Sequence, residues 1–261
     1  MSDEPPFSSA LVDGIPVIWA EPDDARTHMP LVLWLPYLTG SKESTKPFLA
    51  DLVRAGFTAL SFDPWQHGER GTEEPEALTR RVFGDFRRHM WPILGQTTLD
   101  MLRVIDWSSA TFGAERAVYA GGTSMGGDIA VTAAGIDARI QRVAAIVATP
   151  DWLRPGMRSF PDFAALVPPG EPDAYARFFY DHLNPLSHLE AYTHGTAIAF
   201  ECGAEDRHVP PDGAQRFRAA LHFAFPEAAG RIRVTLHPGV GHETTPAMQQ
   251  RSIDWFLRPD R

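Results

Sequence analysis

Cysteine is almost absent from this 261-residue chain, which has Cys202 alone. That excludes an intrachain disulfide framework and any metal site built from several thiolates. Cys202 closes an apolar run that starts at Ala197, so a buried, inert thiol is expected. Long apolar runs are missing as well. None approaches the roughly 20 residues that span a bilayer, so no membrane insertion is expected. The N-terminus, Met-Ser-Asp-Glu-Pro-Pro, has neither the basic nor the apolar region of a signal peptide, and a cytoplasmic location is the expectation. Basic residues are in deficit, 24 Lys and Arg against 33 Asp and Glu, for a formal net charge of −9 with the signs interleaved. Phosphate backbones select basic faces, so no nucleic-acid partner is expected. Motifs for nucleotides and metals are wanting too. There is no G-x-G-x-x-G, no G-x-x-x-x-G-K-[ST] and no H-E-x-x-H, and His182, His188, His194 and His208 show no ligand spacing with one another. Neither cofactor nor metal is expected.

What the chain does have is a rhythm of short apolar runs separated by helical stretches. Residues 1–9 read as a loose leader, and Ala10 to Glu21 as a hairpin or short edge strands broken at Gly14-Ile15-Pro16. The continuous apolar run at 31–35 is too short for a helix and suits a strand buried on both faces, and 57–63, 143–148, 196–202 and 232–236 read as further strands of the same kind. Helices are expected over about 44–55, closed by Gly56, and over 95–110, 211–224 and 246–257, with a polar passage from Pro64 to Pro75. Strands alternating with helices in this way predict an α/β fold, a mostly parallel sheet with helices on both faces. With no repeat and no linker in view, 1–261 is expected to form one domain. One interval breaks the rhythm. About 150–190 is rich in proline and aromatics, among them Trp152, Phe160, Phe163, Phe178, Phe179 and Tyr180. An insertion of that size suggests a cap or lid over an apolar pocket, with Trp152 a candidate substrate contact; the alternative is a surface helix pair packing its own small core.

The chain is organised around Gly122-Thr123-Ser124-Met125-Gly126. A β-prone run, 116–120, precedes it and an alanine-rich helical run, 128–134, follows. A serine in so tight a strand-to-helix turn is a nucleophile elbow, with glycines two residues to either side where a side chain would strike the neighbouring backbone. The helix start behind it offers backbone N–H groups and partial positive charge to a developing oxyanion. Serine is a poor nucleophile unless a base stands within hydrogen-bond reach. Two loops offer the missing parts. Gly203-Ala204-Glu205-Asp206-Arg207-His208-Val209-Pro210 follows the strand at 196–202, and Gly241-His242 follows the strand at 232–236. All three positions fall beyond the carboxyl ends of strands, where α/β sheets bind ligands. His242 can take the Ser124 proton and return it to a leaving group, and Asp206 can orient the ring; Glu205 is the rival acid, one residue nearer the strand.

On these motifs the chain resembles the serine hydrolases of the α/β-hydrolase superfamily, over nearly its whole length. Within that superfamily it is most similar to dienelactone-hydrolase-like and prolyl-oligopeptidase-like esterases. The likeness rests on Thr39-Gly40-Ser41-Lys42, on Asp63 followed by His67-Gly68-Glu69-Arg70, and on Asn184-Pro185-Leu186. True dienelactone hydrolases carry cysteine at the elbow, so Ser124 implies ordinary ester chemistry on a small-molecule substrate. The resemblance also implies an oxyanion hole from the backbone N–H of Met125 and one donor of the 36–38 loop. Matching Thr39-Gly40-Ser41 to the family pattern makes Leu38 that donor; Pro36 has no N–H, and Tyr37 remains a second candidate or a hydroxyl donor to substrate. His67 is expected to shape its loop, with Asp63 and Arg70 as possible ion-pair partners. An amide- or peptide-cleaving enzyme with the same three residues and a non-catalytic binding protein are the alternatives.

Overall fold

The computed structural model describes residues 5–22 and 29–259. Its strands are β1 (Ser8–Val12), β2 (Ile15–Ala20), β3 (Leu31–Leu35), β4 (Thr58–Phe62), β5 (Val118–Thr123), β6 (Ile140–Ile146), β7 (Ala197–Gly203) and β8 (Ile232–His237). They form one eight-stranded sheet in the order β1-β2-β4-β3-β5-β6-β7-β8. Every pairing from β4 through β8 is parallel, and β2 runs antiparallel to both β1 and β4. The hairpin turns at Asp13-Gly14, both with left-handed φ (49° and 80°), as a two-residue turn requires. The loose leader expected over 1–9 thus gives way to strand at Ser8, and residues 1–4 lie outside the described residues.

The helices are α1 (Lys46–Arg54), α2 (Pro75–Gly84), α3 (Phe86–Phe112), α4 (Met125–Ile136), α5 (Ala174–Leu183), α6 (Asp212–Ala224), the single turn α7 (Pro226–Ala229) and α8 (Pro246–Phe256). Side chains of β3 alternate between two cores. Leu31, Leu33 and Leu35 enter one with α2 to α6, whereas Val32 and Trp34 enter the other with α1 and α8. Burial on both faces explains why the run is apolar without alternation. The longest helix, α3, is 27 residues and begins well before the expected 95–110 because it continues through Pro92, which removes one backbone donor without ending it.

The interval at 150–190 neither stands alone nor packs a core of its own. Trp152, Met157, Val167, Ala176 and Phe179 all belong to the main core. A methyl group on Gly95 of α3 would collide with the Phe179 ring, so the missing Cβ lets α5 seat directly on α3. Trp91 and Tyr180 stack across the same contact with centroids 4.3 Å apart.

Candidate active site

Ser124 occupies the one residue between β5 and α4, with φ 51° and ψ −117°. A non-glycine residue held there costs on the order of 1–3 kcal/mol and persists only where the surroundings dictate it. Two glycines do so. A methyl group on Gly122 would overlap the Gly126 backbone, and one on Gly126 would overlap the carbonyls of Leu35 and Pro36. The first turn of α4 therefore abuts the end of β3 at Leu35 and Pro36, where the loop at 36–40 begins. In that loop Gly40 N–H donates to Tyr37 O at 2.9 Å, and Thr39 takes a left-handed φ of 73°.

The expected acid and base arrive from the ends of β7 and β8. The Ser124 hydroxyl lies 3.1 Å from Nε2 of His242, whose Nδ1 lies 2.7 Å from Oδ2 of Asp206. With Nδ1 protonated, the ring donates to the carboxylate and leaves Nε2 to accept from Ser124. The other Asp206 oxygen accepts the backbone N–H groups of His208 and Val209, each at 2.8 Å, so both sides of the carboxylate are fixed. Asp206 is buried and Glu205 exposed, which settles which of the two faces the histidine. Gly203 is the hinge of the arrangement: a side chain there would overlap the Gly241 carbonyl. Its absence lets the acid loop lie against the histidine loop, tied by Ala204 N–H to His237 O at 3.0 Å and Glu205 N–H to Val240 O at 2.9 Å.

The segment 157–167 arches over this point. Residues Arg158 and Leu166 form a bridge, Arg158 N–H donates to Arg207 O at 2.8 Å, and His208 Nδ1 donates to Arg158 O at 2.7 Å. Phe160 at the crest is 54% exposed, and its ring sits edge-to-face with His242 at 5.6 Å. The arch is anchored from below by a buried ion pair of Arg154 with Asp128 in the first turn of α4, whose other oxygen takes Thr149 N–H at 2.7 Å. Arg154 also lies over the Phe86 ring at 5.2 Å.

Other expected residues sit elsewhere. Trp152 is 0% exposed and enclosed in the core, its backbone N–H on Asn184 and its carbonyl on Trp91 Nε1, so Phe160 rather than Trp152 offers an aromatic face at the site. Tyr37 is exposed and Leu38 partly buried against the core. His67 does shape its loop, donating Nδ1 to Trp65 O at 2.9 Å, but the ion pairs are not those expected. Asp63 is held by Lys42, through both its backbone N–H (2.9 Å) and its Nζ (3.0 Å), and Lys42 also reaches Glu69 at 2.5 Å. Arg70 pairs with Asp100 at 2.7 Å and donates to the Asp63 carbonyl. One buried carboxylate thereby joins the loops that follow β3 and β4. Cys202 is buried as expected, and burial pushes its thiol up to about 12.

Among the described residues no helix is long and apolar enough to cross a membrane, and no three His, Cys, Asp or Glu stand together as a metal site would need. Serine, histidine and carboxylate converge at the carboxyl edge of a mostly parallel sheet, the arrangement of a hydrolase fold. A family model described as the alpha/beta hydrolase fold matches residues 30–197, and the chain belongs to that family. Among solved structures, TT1662 from Thermus thermophilus is similar at TM-score 0.74 and 23% identity over 98% of this chain and 99% of its own. A protein assigned as a dienelactone hydrolase from Klebsiella pneumoniae is similar at TM-score 0.70 and 15% identity, covering 97% and 99%. A puromycin-hydrolyzing peptidase from Mycobacterium tuberculosis is similar at 0.69 and 15% identity over 97% of this chain, which spans 39% of that one. Esterases stand among the further matches. No curated protein matches by sequence.

Proposed function

We propose that the chain hydrolyses carboxylic esters of small molecules through an acyl-enzyme formed on Ser124. The observation that carries this reading is the unbroken relay from the Ser124 hydroxyl through His242 to Asp206, at 3.1 and 2.7 Å. As the serine oxygen attacks the ester carbonyl, its proton passes to Nε2 of His242, and Asp206 stabilises the imidazolium that forms. The developing oxyanion is met by the Met125 N–H at the start of α4, with Leu38 as its partner donor and Tyr37 as the other candidate. His242 then returns the proton to the departing alkoxide, and a water molecule activated by the same ring releases the acid.

Amide cleavage by the same residues is the second reading, supported by the peptidase among the structural matches. Turnover of a p-nitrophenyl ester against a dipeptide anilide separates the two. Ser124→Ala should abolish both ester turnover and labelling by a fluorophosphonate. Undiminished turnover by that variant would overturn the assignment, and failure of the parent protein to label would favour a binding protein on a hydrolase fold.

A further inference from the structure

At the opposite end of the sheet from Ser124, where β6, β7 and β8 begin, the surface opens into a cavity of about 700 Å³. Arg142, Arg218, Arg231, Arg233, Arg258 and His194 line it, and among the described residues no Asp or Glu does. In a chain where acidic residues outnumber basic ones 33 to 24, a lining of this sign is a local inversion of the whole molecule's charge.

The arginines are not equivalent. Arg142 is committed to the end of α8, donating to the carbonyls of Trp255 and Phe256 at 3.0 and 3.4 Å, and Arg258 lies over the Trp255 ring at 5.0 Å. Arg231 is held in place by the carbonyls of Thr196, Tyr192 and Thr193 at 3.3–3.4 Å, which orient its guanidinium without neutralising it. The guanidinium groups of Arg218 from α6 and Arg233 from β8 have no hydrogen bond or ion pair with any described residue. Two guanidinium forks with no described partner therefore share a concave site with a third that no carboxylate balances among the described residues. Clefts of one sign focus the field and concentrate counter-ions, and the guanidinium fork matches phosphoryl oxygens two at a time.

The volume is that of a small-molecule site, and the net charge of −9 repels a long polyanion, so neither nucleic acid nor an acidic protein fits as well as a compact ligand. We propose that this cavity binds a small molecule bearing an oligophosphate group, gripped by Arg218 and Arg233 with Arg231 contributing to the field. The site is independent of the reaction assigned to Ser124.

Calorimetric titration with sodium tripolyphosphate at physiological ionic strength tests the proposal, with ATP and citrate as further arms and Arg218→Glu/Arg233→Glu and Arg103→Glu as variants. Saturable one-site binding is expected, weakened about tenfold or more for each arginine reversed, since each charge-assisted contact is worth that much. Arg103, exposed on α3, should not matter. Unchanged thermal unfolding reports that the double variant is folded. ATP binding alongside tripolyphosphate identifies a site open to nucleotides, and exclusion of ATP one for the free oligophosphate; both support the proposal. Absence of saturable binding, equal binding by the double variant, equal loss in Arg103→Glu, or citrate bound as tightly would each overturn it.

Discussion

The rings of His208 and His242 meet edge-to-face with centroids 4.8 Å apart, and the two residues divide one aspartate between them. His242 takes Oδ2 with its ring; His208 takes Oδ1 with its backbone N–H and sends its own ring to the carbonyl of Arg158. His208 is thus a tether between the acid loop and the arch that carries Phe160, and it does its work uncharged.

Burial, and then the charge on His242, push the His208 imidazolium down from 6.5 to about 4, against the smaller opposing effect of the bond to Arg158. Between those values the unfolded chain binds a proton that the folded chain does not. Stability from this residue is therefore complete above pH 6.5 and is lost as pH falls towards 4, by up to about 3 kcal/mol. His208→Asn keeps a donor for Arg158 and removes the titration. Thermal or urea unfolding from pH 7 to 4 should show a smaller acid loss for this variant than for the parent, and identical slopes would refute the neutral tether.

At Gly126 the question is steric. A methyl group there meets two backbone carbonyls, not a flexible side chain, so relief requires moving the end of β3 or the first turn of α4. Gly126→Ala should cost about 1–3 kcal/mol in overpacking. If the Met125 and 36–38 donors act together, turnover should fall about a hundredfold or more with a modest change in KM, as loss of one oxyanion donor does. Melting temperature and ester kinetics on one preparation check both, and a folded variant with parental kcat would remove the oxyanion hole from this junction.

Much of this was legible in the residues. Apolar runs marked β3 and β4 because burial on both faces leaves no alternation, and Ser124, Asp206 and His242 could be found from short motifs because each sits within a few residues of a strand end. What joins distant segments could not be read that way. Lys42 and Asp63 are 21 positions apart, Asp128 and Arg154 26, and no local pattern marks a partner chosen by the fold. Trp152 drew attention as an aromatic in an insertion, yet it fills the core, while Phe160, of the same composition class, stands at the site. His208 has no metal-ligand spacing to the other histidines, and its place two residues after Asp206 is the signal the sequence offers for its tether.

Lys42 tests whether the loop after β3 depends on that hidden partner. Burial works against its charge, but hydrogen bonds to Glu69 and Asp63 outweigh that and raise its pKa, and Asp63 itself is 0% exposed. Removing the cation strands a buried carboxylate, whereas removing both charges does not. Lys42→Met should destabilise by about 3–5 kcal/mol, and Lys42→Met/Asp63→Leu by less than the sum of the single changes. A double-mutant cycle on unfolding free energy measures the coupling; strict additivity would mean that the pair does not hold the loop.

Phe160 bears on which esters are accepted, provided Ser124 is the nucleophile. A phenyl ring more than half exposed beside the His242 imidazole is unsatisfied apolar surface, and the arch below it is fixed at Arg158 by two hydrogen bonds to the acid loop. Phe163 packs against it at 6.1 Å, so the two rings make a wall rather than a single contact. An acyl or alkoxy chain long enough to lie on that wall would bury apolar area worth about 1–2 kcal/mol, and an acetyl group would not reach it. Phe160→Ala should therefore lower kcat/KM for long-chain p-nitrophenyl esters roughly five- to thirtyfold, chiefly through KM, and leave the acetate nearly unchanged. His208→Phe, which unties the arch from the acid loop but keeps a ring where His208 meets Phe160 at 5.8 Å, should flatten the same chain-length profile, whereas His208→Asn should preserve it. Equal losses on short and long esters would show that Phe160 acts on His242 and not on the substrate.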